Sequence, residues 1–328
     1  MEYALALASL SFLLAVIWGQ PLIRLLRRWR MGKLIRIDGP RSHEEKMGTP
    51  TMGGLMVVIP VLLLTIALNV ANLLNPDPII GLSILVPMGT MAGYALLGGL
   101  DDYAGVRGMR SGEGLTANWI FGGQAVMALV VALVLSFGLG YHNMALPGVD
   151  EPIDIGIFYV PVAAFIIVSM SNAVNFTDGL DGLAGIIVAS AFAAYAIIAY
   201  LQGWAYLARF DFIVVGAAFA FLWYNAHPAE IMMGDTGSLA LGGVLGTVAL
   251  IIKKEVLLLI VGGVFVVEVL SVIIQVASYK LTGRRVFLMA PIHHHFELRG
   301  WKEQKVVIRF WILGGLFALL ALSTLKIR

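Results

Sequence analysis

The chain has 328 residues, of which 59% are hydrophobic and only 13% are charged. Soluble domains carry roughly 25% charged residues, so this composition excludes an ordinary soluble domain and indicates a multi-pass membrane protein. The chain has no cysteine, which excludes disulfides, thiolate metal sites and a cysteine nucleophile. The net charge of +2 selects no class of partner, and we expect no nucleic acid.

Apolar runs of the length that crosses a hydrocarbon core of ~30 Å recur along the chain. Helices satisfy their own backbone hydrogen bonds in lipid, so each run predicts a membrane-spanning helix. We expect one all-α polytopic membrane domain, residues 1–328, with about ten transmembrane helices. They lie near 3–23, 52–74, 79–100, 118–140, 157–176, 182–202, 211–227, 237–252, 255–279 and 306–325.

The distribution of basic residues predicts the orientation of the bundle. Seventeen of the 22 Lys and Arg residues fall in odd-numbered loops, which the positive-inside rule places in the cytoplasm. Both termini are then periplasmic. Every polar, motif-like segment also falls in these odd-numbered loops, so we expect one site on the cytoplasmic face.

Two acidic segments lie at ends of spans. Asp101 and Asp102 follow span 3, where the helix dipole disfavours negative charge. They are interpreted either as a solvated helix end or as a Mg²⁺ site, since Mg²⁺ typically takes one or two carboxylates plus substrate phosphates. Asp235 lies between Gly234 and Gly237. It is interpreted either as a metal ligand or as a helix cap.

The stretch NAVNFTDGLDGLAG places polar residues between two apolar runs. Asp178 as a helix N-cap, with Asp181 three residues later, resembles a capping box. Asn172 and Asn175 can equally satisfy the end of span 5. Caps therefore compete with a binding site here.

Two further segments add basic or titratable groups. His293, His294 and His295 point in different directions on a helix, so their spacing favours a phosphate or acid–base role over a metal site. Lys46 and Thr51 lie among glycines before span 2 and suit either a phosphate cradle or a basic interfacial loop. Together the clusters suit the joining of two phosphate compounds, because such reactants need a metal and cations to meet.

Five segments carry a resemblance to a known family: DGPRSHEEKMGTPTMGG, LDDY, NAVNFTDGLDGLAG, FLWYNAHPAEIMMGDTGSLALGG and APIHHHFELRGWKEQKVVIRFW. In order and spacing the chain resembles the phospho-N-acetylmuramoyl-pentapeptide transferases, within the polyprenyl-phosphate N-acetylhexosamine-1-phosphate transferase superfamily. The triple histidine separates this family from its sister enzymes. The resemblance covers essentially the full length.

The resemblance implies a Mg²⁺-dependent reaction of UDP-MurNAc-pentapeptide with undecaprenyl phosphate, giving lipid I and UMP in peptidoglycan synthesis. It also implies ten helices, a homodimer and a multi-pass location in the bacterial cytoplasmic (inner) membrane. By motif match, Asp235 is the principal Mg²⁺ ligand, and Asp101 and Asp102 are the metal and phosphate pair. His293 and His294 match residues lining the pyrophosphate and sugar. The remaining matches are substrate-binding positions: Lys46, Thr51, Asn172, Asn175, Asp178, Asp181, Asn225 and His295.

The chain departs from the family pattern at three positions. The lysine that often follows the Asp pair is absent, with Ile120 near its place, and Arg107, Arg110 and Lys46 are the alternatives for that charge. Met232 stands where an aromatic residue often stacks on uracil. Phe176 replaces a more usual leucine and is a substitute stacking partner for the base.

Other classes of function remain alternatives. A transferase that uses UDP-N-acetylglucosamine is the nearest rival. A transporter of a lipid-linked intermediate would need charges within the membrane, for which Glu268 is thin support. A scaffold for a cell-wall complex would not need all of these clusters together.

Overall fold

The computed structural model describes residues 1–32, 46, 48–72, 84–107, 114–145 and 151–325. Within these ranges the chain is a bundle of helices with one two-stranded hairpin. The helices are α1 (Glu2–Arg28), α2 (Leu55–Asn72), α3 (Leu85–Val106), α4 (Ala117–Leu133), α5 (Tyr159–Thr177), α6 (Leu183–Leu201), α7 (Ala205–Asn225), α8 (Gly234–Ile251), α9 (Leu258–Val261), α10 (Gly263–Thr282), α11 (Ile292–Leu298) and α12 (Glu303–Thr324). Strands β1 (Asn143–Met144) and β2 (Ile153–Asp154) pair antiparallel.

Eight of the helices in the described ranges are long and apolar enough to cross a membrane: α1, α4, α5, α6, α7, α8, α10 and α12. This confirms the predicted polytopic α-helical class. Each of the ten predicted runs coincides with a helix, but α2 and α3 are not among the eight. The count of ten spans and the orientation of the termini stay predictions.

Helix α8 forms the centre of the bundle. Of its apolar window, 94% is buried, whereas the windows of α10 and α12 are only 22% buried and suit contact with lipid. Helices α3 and α5 pack along α8, and α1 and α6 pack along α7. The first turn of the central helix therefore lies among the ends of α2, α3 and α5, where the acidic residues are.

Glycines allow these helices to approach closely at the functional end. A Cβ atom on Gly98 of α3 would lie 2.6 Å from the Thr236 nitrogen and would overlap the Asp235 carbonyl oxygen. A Cβ atom on Gly54 would similarly overlap the backbone of Gly237. Since real Cβ contacts are longer, glycine at these positions sets the distance from α3 and the start of α2 to α8.

Several predicted boundaries were wrong. Helix α3 ends at Val106, six residues past the predicted end of span 3, so Asp101 and Asp102 lie inside the helix and do not follow it. Helix α7 begins at Ala205, six residues before the predicted start, so Asp211 lies inside the helix and is fully buried. The run near 255–279 is broken: the short helix α9 ends at Val261 and α10 starts at Gly263. The break comes at a pair of glycines, where the backbone can depart from the helical conformation at low steric cost.

Candidate active site

Asp102 ties three elements together at the end of the bundle. Its Oδ2 atom accepts hydrogen bonds from the backbone N–H of Thr236 at 3.0 Å and from the Thr236 hydroxyl at 2.6 Å. Its Oδ1 atom accepts from the Thr51 hydroxyl at 3.1 Å. Because unpaired N–H groups and the dipole make a helix N-terminus favourable to anions, α3 delivers a carboxylate that stabilises the start of α8.

The first residue of α8 fits around this carboxylate. Gly234 has a φ of +70°, in the left-handed region that favours glycine. A Cβ atom there would also lie 2.5 Å from Asp102 Oδ2 and 2.6 Å from the Thr51 hydroxyl. The glycines of the MGDTG segment therefore serve both the turn and the close packing of Asp102.

Asp235, in the first turn of α8, lies next to Asp101 of α3. Asn175, near the end of α5, donates from Nδ2 to Asp235 Oδ1 and to the Ser238 hydroxyl, both at 2.9 Å. Asp101 accepts the backbone N–H of Leu115 at 2.6 Å. Burial, followed by the neighbouring charge of Asp235, raises the pKa of Asp101 to about 6. In the described part of the chain, no Lys, Arg or His contacts either carboxyl group at ion-pair distance.

Lys46 joins a second, separate anionic cluster. Its Nζ atom lies 2.7 Å from Asp181 Oδ1 and 2.6 Å from Glu303 Oε1. Burial opposes the charge of Lys46, but hydrogen bonds to these two carboxylates outweigh it and raise the pKa of the ammonium group. His227 Nδ1 lies 3.0 Å from Asp181 Oδ2, which also accepts the N–H of Ala229 at 3.2 Å. Four distant segments thus meet at one buried carboxylate.

The loop between α5 and α6 is organised by this cluster and not by helix capping. Asp178 ends α5 as its C-cap, and the N-cap of α6 is Gly182, with no side-chain cap. The capping-box interpretation of Asp178 and Asp181 was therefore wrong. The amide of Asn225 ties the loop to the end of α7, since it accepts from the Gly182 N–H at 2.9 Å and donates to the Ile231 carbonyl at 2.8 Å.

The three histidines of α11 have different polar contacts, although the ring centroids of His293 and His294 lie only 4.1 Å apart. His293 is completely buried, with Nδ1 3.1 Å from Glu268 Oε2. His294 Nδ1 lies 2.7 Å from Glu297 Oε2. His295 Nδ1 accepts the backbone N–H of Leu288 at 3.1 Å.

Several predicted residues lie apart from these carboxylates or contribute only backbone. Asn172 donates to the Gln124 amide oxygen and to the Val168 carbonyl, so its side chain joins α5 to α4. Met232 contributes backbone, accepting from Gly53 and donating to Pro50, both at 2.8 Å. Phe176 is 37% exposed at the end of α5. Arg110 and residues 38–45 of the predicted entrance loop lie outside the described residues.

Three acidic or basic residues of these clusters escaped the sequence analysis as site residues. Glu303 and His227 complete the Lys46 cluster, and Glu268 contacts His293. Glu268 did carry a signal, because a carboxylate within an apolar span is a functional candidate by default. His227 and Glu303 lie within two of the five motif segments, but no local pattern links either of them to Asp181, from which Glu303 is 122 residues distant.

Comparison with known proteins assigns the family. The family model described as glycosyl transferase family 4 matches residues 84–253, which is more than half of the chain. Proteins named phospho-N-acetylmuramoyl-pentapeptide-transferase match over nearly the full length. The one from Anoxybacillus flavithermus is 46% identical over 321 residues, covering 96% of this chain and 95% of the relative. The chain belongs to the phospho-N-acetylmuramoyl-pentapeptide-transferases.

Two further relatives of that name agree. The protein from Geobacillus sp. is 46% identical over 323 residues, covering 98% of both chains. The protein from Bacillus subtilis is 45% identical over 314 residues, covering 95% of both. The matched region of the glycosyl transferase family 4 model extends from before the Asp pair on α3 to beyond Asp235, whereas the histidines of α11 lie outside it.

Proposed function

We propose that the chain transfers phospho-MurNAc-pentapeptide from UDP-MurNAc-pentapeptide to undecaprenyl phosphate, giving lipid I and UMP. In this reaction the bond between the β-phosphorus and the oxygen of UMP breaks, and the phosphorus becomes bonded to an oxygen of the lipid phosphate. The observation that carries the proposal is the meeting of Asp101 and Asp235 without a basic partner among the described residues, in a chain of this family.

The residues present fit a Mg²⁺ ion between Asp101 and Asp235. Two neighbouring carboxyl groups raise one another's pKa unless a cation lies near them, and Mg²⁺ takes one or two carboxylates together with substrate phosphates. Bound there, the ion would neutralise phosphate charge. Asp102 is a less available ligand, because Thr236 and Thr51 already donate three hydrogen bonds to it.

The chain's own residues would divide the work of binding. Asn175 holds the carboxylate of Asp235 at a fixed orientation. Among the described residues Asp101 accepts only a backbone N–H besides its contact with Asp235, so we assign it the positioning of the lipid phosphate. By the family resemblance, we assign the loop 178–182 and the exposed ring of Phe176 to binding of the nucleotide. Positioning and charge stabilisation account for most of phosphoryl-transfer catalysis.

The proposal includes the finer features implied by the family resemblance. These are ten membrane spans, both termini outside, the active site on the cytoplasmic face and a homodimer in the bacterial inner membrane. The basic loops support the orientation. Accessibility of single introduced cysteines to an impermeant thiol reagent tests it directly, because the natural chain has no cysteine.

The deciding experiment measures UMP release by purified protein in detergent with Mg²⁺, UDP-MurNAc-pentapeptide and undecaprenyl phosphate. We expect UMP only when metal, lipid and the muramyl donor are all present. EDTA, omission of lipid and UDP-N-acetylglucosamine are the controls, and release from the last of these instead would identify the rival transferase. Asp235→Asn should abolish release while Glu151→Gln, at an exposed acid far along the chain, retains it. An active Asp235→Asn protein refutes the metal assignment.

A further inference from the structure

A carboxylate inside a helix that can span the membrane lies next to one histidine of α11. Glu268 belongs to α10, one of the helices able to cross a membrane, and is completely buried. His293 is also completely buried, and its Nδ1 atom lies 3.1 Å from Glu268 Oε2. Burying a charged group in a membrane span costs free energy unless the group is paired. A buried carboxylate beside a buried histidine is therefore a candidate for a functional role.

The other side of the imidazole faces the loop between α5 and α6. A Cβ atom on Gly179 would lie 2.9 Å from His293 Cε1 and would overlap Nε2. Gly179 stands between Asp178 and Asp181 in the loop 178–182. Within the described ranges none of the four polar side-chain atoms of His293 and Glu268 has an aligned hydrogen-bond partner, so the 3.1 Å approach of Nδ1 to Oε2 is a close contact at ion-pair distance. The ring is thus held between a carboxylate on one side and the loop's backbone on the other.

We propose that Glu268 is a positioning residue of the active site, which holds the proton of His293 on Nδ1 and so directs Nε2 at the loop 178–182. A carboxylate next to one ring nitrogen fixes the tautomer and orientation of the other. His293 then acts as a wedge that sets the loop's position, and it need not touch substrate. Because this loop lies on the donor side of the proposed reaction, the pair controls binding of the nucleotide-linked substrate more than that of the lipid.

The structural arm of the test uses ring-nitrogen NMR of the full chain labelled with ¹⁵N-histidine, with the His293 signals identified by their loss in His293→Gln. We expect the proton on Nδ1 in the natural protein and a shift of the proton in Glu268→Leu. Ser271→Ala, at a buried polar residue one turn further along α10, should leave the ring unchanged. A proton on Nε2 in the natural protein, or a ring unchanged in Glu268→Leu, overturns the proposal.

The kinetic arm rests on the proposed function, whereas the structural arm does not, so failures of the two are distinguishable. Glu268→Leu should raise the KM for UDP-MurNAc-pentapeptide about tenfold, the lower end of the ~10–100-fold that loss of a carboxylate behind a metal-binding histidine costs. The KM for undecaprenyl phosphate should stay within about twofold. Glu268→Gln, whose amide oxygen can accept from Nδ1 at the same position, should restore most of the donor affinity. An equal rise in KM for both substrates in Glu268→Gln contradicts the assignment. If Glu268→Leu does not fold, the kinetics of Glu268→Gln and the NMR spectrum of the natural protein still test the proposal.

Discussion

Replacing Gly98 by alanine should separate the two acidic residues on which the proposed chemistry depends. The new Cβ atom would lie 2.6 Å from the Thr236 nitrogen, whereas non-bonded atoms pack at about 3.5 Å. Helix α3 must then retreat from α8 by about 1 Å, because the contact is with backbone and no side chain can move aside. A displacement of about 1 Å at a reacting geometry can cost on the order of 100-fold in rate.

The neighbouring Gly99 provides a matched control. A Cβ atom there would have its nearest neighbours at 3.6 Å, an ordinary van der Waals distance. Both substitutions gain about 1 kcal/mol of helix propensity, so a difference between them reports packing alone. We expect UMP release to fall about 100-fold in Gly98→Ala and to stay within about twofold in Gly99→Ala. Equal activity of the two variants would refute the claim that the close approach of α3 to α8 positions Asp101 beside Asp235.

Three further perturbations test neighbouring contacts. Thr236→Val removes the hydroxyl bonded to Asp102, which should cost about 2 kcal/mol because hydrogen bonds to charged groups contribute ~1.5–3 kcal/mol. Thr65→Val, at a buried hydroxyl that donates to the Val61 carbonyl of its own helix, is the control in thermal melting. Gly179→Ala should raise the KM for the donor, and an unchanged value would show that the loop tolerates displacement. The folded-state pKa of Lys46 is raised, so its stabilisation is complete below the unfolded pKa of about 10.4 and is lost as the pH rises through the folded value. The difference in melting temperature between the natural protein and Lys46→Met should therefore be constant from neutral pH to about pH 10 and shrink only above it.

The membrane helices were predictable because lipid imposes length and apolarity on every run. The boundaries failed where charge was taken as an end signal. Arg209 and Asp211 suggested that α7 starts late, yet α7 begins at Ala205 and buries Asp211 completely. Arg209 instead stacks on the rings of Tyr3 and Tyr206. A charged residue is therefore not by itself a helix end signal, because its burial and its contacts depend on tertiary packing.

The types of site residue were predictable, but their grouping was not. Sequence motifs suggested that the acidic residues and Lys46 gather at one boundary. The structure divides them into a pair, Asp101 with Asp235, and a cluster around Asp181. Glu303 joins that cluster from the start of α12, and no local pattern indicates such a contact because pairing across a bundle has no period in sequence.

The cluster around Asp181 and the pair of Asp101 and Asp235 differ in what balances the charge of their carboxylates. Asp181, His227 and Glu303 are the one set of three acidic or histidine side chains, within the described ranges, whose ligand atoms lie within 4.8 Å of one another. Geometry alone would make them a metal site. The ammonium of Lys46 already lies 2.6–2.7 Å from two of these carboxylates, and a divalent ion there would be repelled by it. Asp101 and Asp235 have no such internal cation among the described residues, so the proposed metal and the substrate phosphates would balance their charge. We therefore propose a structural role for the Lys46 cluster, which holds the loop 178–182, and a chemical role for Asp101 and Asp235.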